Sequence, residues 1–213
     1  GQLLELALGI ENSSNLCDCV DGEVKSFTKG QSVAVTQLGH TIPDMEDNTP
    51  FIKTKLGKKL GNTLYVAFDN NGYVNSKHHS LKDDTHYSKF EQDYNDLKEI
   101  VINAIKEKKE VKCVKGRNNI LEIRTSGSRN KRTGRYTPTT YKGHTLRDKG
   151  LRIYLTSPYV RKEISWFLYI SCLTYRRAWI IIIVVKAFPL MTKTKRLQAL
   201  NTFKPYAVFY RTG

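Results

Sequence analysis

The sequence has almost no acidic residues in its C-terminal part. Residues 123–213 contain 19 Lys and Arg but only two acids, Asp148 and Glu163, whereas residues 1–122 contain 16 Lys and Arg and 18 Asp and Glu. This uneven distribution indicates an anionic partner, because a basic surface attracts polyanions. Nucleic acid is the commonest such partner. An acidic membrane surface and a basic tail that is merely solvated are the alternatives.

The cysteine and histidine spacings of zinc sites are also missing. No Cys-x-x-Cys and no His-x₃-His pattern occurs, and the adjacent pair His78-His79 has no further ligand nearby in sequence. These absences exclude the common structural zinc sites. We interpret the four thiols as reduced and mostly buried, which together with the lack of a signal peptide predicts a cytoplasmic protein. The cysteines are Cys17, Cys19, Cys113 and Cys172.

Hydrophobic runs long enough to cross a membrane are absent as well. Residues 164–213 contain two apolar runs on either side of Tyr175-Arg176-Arg177, and each is shorter than the ~20 residues that a span requires. We therefore expect no stable membrane partner. The change in composition predicts two parts, a domain at residues 1–163 and an apolar and basic C-terminal extension of unknown role at residues 164–213.

One short segment, CDCVDGEVKSF at residues 17–27, brings acidic and basic side chains together. Its Asp21-Gly22 pair predicts a two-residue hairpin turn, because such turns need positive φ angles. Since side chains alternate along a strand, the two arms would then present different chemistry on their two faces. One face would carry the charged side chains of Asp18, Glu23 and Lys25. The other face would carry Cys17, Cys19 and Val24.

Two carboxylates that lie close together repel each other unless a cation accompanies them. The ammonium of Lys25 is one such cation, and a divalent metal is another. The alternative is an ion pair on a surface hairpin that has no function.

Hydrophobic patterns predict alternating strands and helices in the rest of the domain. The clearest helix begins at a Ser88–Glu91 capping box and continues with an apolar stripe at helical spacing. The stripe consists of Phe90, Tyr94, Leu97, Val101 and Ile105. The remaining predicted elements are a short amphipathic helix that ends at Gly9, strands at 31–38, 63–69 and 151–160, a basic connector at 51–62, and a hairpin at 111–126 around Gly116.

Residues 125–150 form a Gly-, Ser- and Thr-rich segment in which Tyr136 and Tyr141 lie among the basic residues. This composition is typical of a loop that contacts phosphates and reaches bases. We therefore select Arg129, Lys131 and Arg132 as candidate DNA-binding residues.

Several motifs occur in a fixed order along the chain. The first set is Gly1, Leu4, Glu5, Leu8, Gly9, Asp18, Glu23 and Lys25. The second set comprises the segments QDYNDLKEIVINAIKEKKEVKCVKGRNNILEIRTSGS and LRIYLTSPYV. In this order the motifs resemble the MutH family of PD-(D/E)xK nucleases, which contains a mismatch-repair endonuclease and type II restriction endonucleases that cut GATC. The resemblance covers residues 1–163.

The chain departs from the family pattern in two places. Four residues separate Asp18 from Glu23, whereas the mismatch-repair enzyme has six, so Asp21 stays an alternative to Asp18. In the family an N-terminal arm comes before the position of Gly1. This sequence does not contain that arm, so we expect the chain to begin within the domain.

The resemblance implies a fold and an active site. The fold is α/β (α+β), a restriction-endonuclease-like core with a central mixed sheet flanked by helices. The implied catalytic residues are Glu5, Asp18, Glu23 and Lys25. Mg²⁺ is the implied cofactor, held by Asp18, Glu23 and the carbonyl of Val24. The implied products carry a 5′-phosphate and a 3′-hydroxyl.

The resemblance also implies how double-stranded DNA is read. Arg124 matches the family's base-reading arginine, with a phosphate contact as the alternative, and a bidentate Arg–guanine contact contributes ~1–3 kcal/mol of discrimination. Tyr154 matches the tyrosine that senses adenine methylation, with a purely structural strand residue as the alternative.

We therefore expect a Mg²⁺-dependent type II restriction endonuclease that cleaves DNA at GATC, in the cytoplasm of a bacterium or in a phage-infected cell. A mismatch-repair nickase of unmethylated GATC, which has mismatch-repair proteins as partners, is the first alternative. A catalytically inactive DNA-binding module of the same fold is the second. A basic RNA-binding or membrane-surface protein with an incidental hairpin is the third.

Overall fold

The computed structural model describes residues 4–5, 10, 16–19, 22–70, 72–127, 129–130 and 132–164 of the chain. These residues form nine β-strands, four α-helices and several short helical turns. The strands are β1 (Glu23–Thr28), β2 (Val33–Gln37), β3 (Asn62–Asp69), β4 (Gly72–Ser80), β5 (Val114–Lys115), β6 (Leu121–Thr125), β7 (Thr139–Tyr141), β8 (His144–Arg147) and β9 (Leu151–Leu155). The helices are α1 (Ile42–Glu46), α2 (Lys55–Gly61), α3 (Tyr87–Lys106) and α4 (Ser157–Tyr159), and a π-helical turn at Val160–Ile164 follows α4.

Helix α3 forms where the apolar stripe predicts it. Phe90, Tyr94, Leu97 and Val101 are buried along one side, because residues three and four apart lie on the same helix face. The predicted capping box is wrong: His86 precedes the helix without capping it through its side chain, and Ser88 lies inside the first turn.

Strands β1, β3 and β4 form a three-stranded mixed sheet in which β1 pairs with β3 in parallel and β3 pairs with β4 antiparallel. One face packs on the main core through Phe27 and Tyr65. The other face packs through Val24 and Val66 on a smaller cluster that includes Leu4. Strand β1 is therefore covered on both faces, as is usual for strands in parallel pairs.

Strands β2, β9, β6 and β5 form a second, antiparallel sheet. Ile123 of β6 and Ile153 of β9 are directly opposite each other and face the main core together with α3. The alternate side chains point away from this core. We call this side of the sheet the outer face, and it carries Lys115, Glu122, Arg124, Arg152 and Tyr154.

Residues 125–150, predicted as a loop, contain the two-stranded hairpin β7–β8. The hairpin is attached to α1 through a single carboxylate. The hydroxyl of Tyr141 and the ammonium of Lys142 both donate to Oε2 of Glu46, each at 2.7 Å. The basic segment is therefore held against the rest of the molecule.

The described structure is a mixed α and β structure, in agreement with the coarse α+β prediction. The described strands form three sheets in place of the one central mixed sheet that was predicted. The change of sheet occurs between β1 and β2, which are consecutive in the chain but pair with β3 and β9, respectively. Gly30 lies at this change of direction with a φ of 77°, a left-handed conformation that favours glycine.

The C-terminal end of the described chain packs on the core. Ile164, predicted as the first residue of the extension, is only 2% exposed, so the packed part reaches at least this residue. The rest of the extension and most of the predicted helix ending at Gly9 lie outside the described residues. None of the helices within the described ranges is both long enough and apolar enough to cross a membrane.

Candidate metal site and nucleic-acid interface

The carboxylate of Glu23 lies at the start of β1 and is almost completely buried, with 1% of its side chain exposed. Its Oε1 atom contacts the ammonium of Lys25, two residues along the same strand. The ammonium of Lys59 lies 2.8 Å from the same oxygen. One carboxylate oxygen is thus shared by two lysines, which compensates the cost of burying its charge.

The parallel pairing of β1 with β3 brings Lys59 to this position. Glu23 is opposite Thr63, the second residue of β3. The hydroxyl of Thr63 donates to the backbone carbonyl of Lys59 at 2.7 Å, which fixes the end of α2 beside the strand. Sequence reasoning placed Lys59 in a featureless basic connector, so this contact was missed.

Asp18 is held beside Glu23 by backbone hydrogen bonds in both directions. The backbone N–H of Val24 donates to Oδ2 of Asp18 at 3.0 Å, and the N–H of Asp18 donates to Oε2 of Glu23 at 3.3 Å. The two carboxylates that were predicted to converge therefore lie next to each other.

The turn before β1 differs in register from the predicted hairpin. The N–H of Cys19 donates to the carbonyl of Gly22 at 2.9 Å, whereas the predicted register places Cys19 opposite Val24. Asp21, the alternative to Asp18, lies outside the described residues. Gly22 approaches the neighbouring chain closely, because a Cβ atom there would lie 2.6 Å from the backbone oxygen of Asn62.

The cysteines of this segment do not behave alike. Cys19 packs against the cluster of Val24, as predicted. Cys17 was predicted on that same face, but its thiol lies beside the charged groups, where burial and then the charge of Glu23 raise its pKa. The prediction that the thiols are mostly buried is wrong for the three described cysteines, since Cys17 and Cys19 are half-buried and Cys113 is exposed.

The donor chemistry of this place suits a magnesium ion, because Mg²⁺ prefers hard carboxylate and carbonyl oxygens. Asp18 and Glu23 supply two adjacent carboxylates. In the part of the chain that the structure describes, no three His, Cys, Asp or Glu side chains are close enough to hold a metal. From the described residues, a metal here would therefore have two carboxylate ligands and the predicted carbonyl of Val24.

Glu5 belongs to a helical pair of residues, Leu4–Glu5, that lies on the mixed sheet. Leu4 packs against Val24 and Val66, which brings this pair of residues onto the face of β1 where Val24 points. The carboxylate of Glu5 does not complete a group of three ligands with Asp18 and Glu23. A catalytic role for Glu5 stays a prediction.

Arg124 and Tyr154 lie together on the outer face. The guanidinium carbon of Arg124 is 5.1 Å from the ring centroid of Tyr154, within the range of a cation–π contact. The NH1 group of Arg124 also donates to the hydroxyl of Ser32 at 2.7 Å and to Oε1 of Glu122 at 3.1 Å. Three side chains thus contact the guanidinium of Arg124, and 48% of the Arg124 side chain is exposed.

The segment 129–149 holds a second contact between basic and aromatic side chains. The guanidinium of Arg129 and the ammonium of Lys149 each lie 4.9 Å from the ring centroid of Tyr136. Arg132 is exposed, and its backbone N–H donates to the side chain of Asn130 at 2.9 Å. Lys131 lies outside the described residues.

Sequence reasoning missed Lys59, Ser32, Glu122 and Arg152 in these two places. Glu122 and Arg152 precede Arg124 and Tyr154 by two positions on their strands, so side-chain alternation was a usable signal for both. The contacts of Lys59 and Ser32 depend on pairing between distant strands, which no local pattern shows.

A search against protein-family models and a search against curated proteins both return no match for this chain. The resemblance to the MutH family therefore rests on the motifs alone, and the activity that it implies is a proposal.

Proposed function

We propose that the chain is a Mg²⁺-dependent, sequence-specific DNA endonuclease with a PD-(D/E)xK core. It acts as a type II restriction enzyme that cleaves at GATC and leaves 5′-phosphate ends. The observation that carries the proposal is the meeting of Asp18, Glu23 and Lys25 at the start of β1, where hydrogen bonds and an ion pair link them. The motif order supplies the reaction class and the recognition sequence.

Each residue of this group has a role in the proposal. Asp18, Glu23 and the carbonyl of Val24 would hold the metal, since they are hard oxygen ligands. The chemistry that magnesium supplies in such sites is a lowered pKa of water and neutralisation of phosphate charge. Lys25 would orient the attacking water and stabilise the negative charge that develops at the phosphate. Glu5 would act on the site through water.

The proposed substrate is double-stranded DNA. The basic excess of residues 123–213 favours a polyanion, and most of the affinity of such proteins comes from phosphate contacts. Arg124 and Tyr154 support sequence reading, because they present a guanidinium and an aromatic ring side by side on one exposed sheet face. Arg129, Lys131 and Arg132 would contact the phosphates from the basic segment.

A second candidate function is a catalytically inactive DNA-binding module of the same fold. One oxygen of Glu23 already accepts two ammonium groups, from Lys25 and Lys59. A metal would have to compete with both lysines for this carboxylate. If the lysines win at physiological Mg²⁺ concentrations, the chain binds DNA without cleaving it.

Cleavage of plasmid DNA separates the candidates. The full chain is incubated with unmethylated plasmid, with plasmid methylated at the adenine of GATC, and with plasmid that lacks GATC, each in Mg²⁺ and in excess chelator. We expect linear fragments with ligatable 5′-phosphate ends from the unmethylated plasmid in Mg²⁺ only. Nicked circles restricted to unmethylated GATC would indicate the mismatch-repair nickase.

Binding measurements complete this experiment. Retention of the GATC duplex without any cleavage would identify the inactive module and reject the enzyme. Absence of both binding and cleavage would reject every DNA-directed function.

A further inference from the structure

The outer face contains two arginines that are direct neighbours across a strand pair. Arg124 of β6 is opposite Arg152 of β9 in the antiparallel ladder, and both side chains point away from the main core. Side chains in this relation have Cβ atoms about 4.5–5.5 Å apart, and like charges there are destabilising. On its other side Arg152 faces Gln37 of β2, which is neutral.

The two arginines differ in how their charges are compensated. Arg124 has the buried carboxylate of Glu122 at 3.1 Å. Arg152 is half-buried, yet no carboxylate of the described residues lies within ion-pair distance of it. A partly buried cation beside a second cation raises the free energy of the folded chain. A bound anion would remove this cost.

We propose that Arg152 binds a phosphodiester of DNA next to the bases that Arg124 reads. This inference rests on the proposed function, which supplies DNA as the ligand. The guanidinium suits this contact because its planar fork matches two phosphate oxygens. The charge of Arg124 is already compensated by its ion pair with Glu122. Arg152 is therefore the arginine of the two whose charge would be compensated by a phosphate.

The surroundings of Arg152 favour a phosphate over a base edge as its ligand. Arg124 is already oriented by Ser32, Glu122 and the ring of Tyr154. Arg152 is not attached to these groups by any hydrogen bond in the described part of the structure. A guanidinium whose orientation is not fixed by neighbouring groups is suited to a phosphate contact, which contributes to affinity and carries no sequence information.

Equilibrium binding of the full chain to labelled duplexes tests this inference. One duplex contains GATC and the other has the same composition without it, and chelator prevents cleavage. For Arg152→Ala we expect weaker binding to both duplexes by the same factor. The slope of log K against log salt should fall by about 0.9, so the affinity ratio between about 50 and 200 mM salt should shrink three- to fourfold.

Arg117→Ala is the matched control, because it removes the same charge. Arg117 pairs with Asp96 of α3, which packs on the opposite side of this sheet. The control should leave both affinities and the salt slope nearly unchanged. Arg152→Ala should also leave the thermal stability unchanged or raise it, since it removes one of two neighbouring like charges.

Each remaining outcome decides between the two proposals. If Arg152→Ala weakens binding no more than Arg117→Ala, the inference is wrong while the proposed function stands. A loss confined to the GATC duplex would make Arg152 a base reader and would also overturn the inference. Failure of the unaltered chain to bind either duplex rejects the proposed function and the inference together.

Discussion

At the residue scale, the two lysines on Glu23 have different expected roles. Lys25 follows Glu23 on the same strand, as in the catalytic motif, whereas Lys59 reaches the same oxygen from α2. Under the proposed function, Lys25→Ala should lower the single-turnover cleavage rate by about 10²–10³-fold, because it removes a charge that would act in the transition state. DNA affinity should stay nearly unchanged, since the ground state does not use this charge.

Lys59→Ala is the control for this prediction. It leaves Lys25 in place and removes only a competing cation, so cleavage should persist and half-saturation should need less Mg²⁺. Equal loss of cleavage in both variants would contradict the separate roles of the two lysines.

The local part of this site could be predicted from the sequence and the distant part could not. Asp18, Glu23 and Lys25 lie within eight positions, so a turn and side-chain alternation suffice to bring them together. Lys59 is 36 positions from Glu23, and its contact depends on the parallel pairing of β1 with β3. The neighbouring thiol of Cys17 was assigned to the wrong face because residues 16–19 form bends and not a strand, so side-chain alternation does not apply to them.

At the element scale, Asp93 joins α3 to the turn between β5 and β6. It is completely buried, and it accepts backbone hydrogen bonds from Asn118, Ile120 and Leu121 at 2.7–3.0 Å. Gly116 leaves room for it, because a Cβ atom there would lie 2.3 Å from its carboxyl carbon.

Asp93→Ala should therefore lower the free energy of unfolding by at least about 3 kcal/mol, since it leaves buried donors without acceptors. Chemical denaturation measures this change. Asp96→Ala, one helical turn away, removes an acid whose partner Arg117 is 69% exposed, so it should cost only about 1 kcal/mol. Similar losses for the two variants would show that burial is not the cause.

Asp84 connects the end of β4 with α4, and its protonation should weaken that connection. Burial raises its pKa, but hydrogen bonds from the ring of His79, the backbone N–H of His86 and the hydroxyl of Tyr159 outweigh this effect, so its pKa lies below the ordinary value. The resulting stability is present above the unfolded-state pKa of about 3.9 and is lost as the pH falls through the lower folded-state pKa.

Asp84→Asn should thus be most destabilising near neutral pH, and the difference from the unaltered chain should shrink below about pH 4. Unfolding free energies measured across this range provide the test. A difference that is constant with pH would mean that the shape of Asp84, and not its charge, matters.

The predicted elements show which sequence signals were sufficient. The stripe of α3, the β5–β6 hairpin and the strands β2 and β3 were predicted because their apolar residues recur at a clear period. The strand predicted at 151–160 is confirmed only as far as Leu155, where β9 ends and α4 follows. Strand β4 was missed because GYVNSKHHS is mostly polar and pairs on one side only. Helix α2 was missed because it is short and contains Gly57 and Gly61, which are poor helix formers.

At the scale of the whole molecule, the described C-terminal turn contributes to the core. Tyr159, Val160 and Ile164 are 7%, 0% and 2% exposed. Removal of residues 165–213 keeps all three, so we expect the shortened chain to unfold cooperatively at nearly the same temperature as the full chain.

Removal of residues 157–213 takes these three side chains away. Burial of each contributes about 1.5–3 kcal/mol, so this shorter chain should lose about 5 kcal/mol or more and fail to fold stably. Calorimetry or thermal circular dichroism distinguishes the two truncations. Loss of cooperative unfolding in the chain that lacks only residues 165–213 would show that these residues are an integral part of the core.

The pairing of β1 with β3 has a consequence for the order in which the molecule matures. The bonds between Asp18 and Glu23 span five positions and the contact with Lys59 spans 36, whereas Arg124 and Ser32 are 92 positions apart. Ordering a long loop costs more entropy than ordering a short one, so near neighbours associate first. During synthesis we expect Asp18, Glu23 and Lys59 to come together before β6 and β9 have left the ribosome. The proposed cleavage site would thus form before the proposed base-reading face.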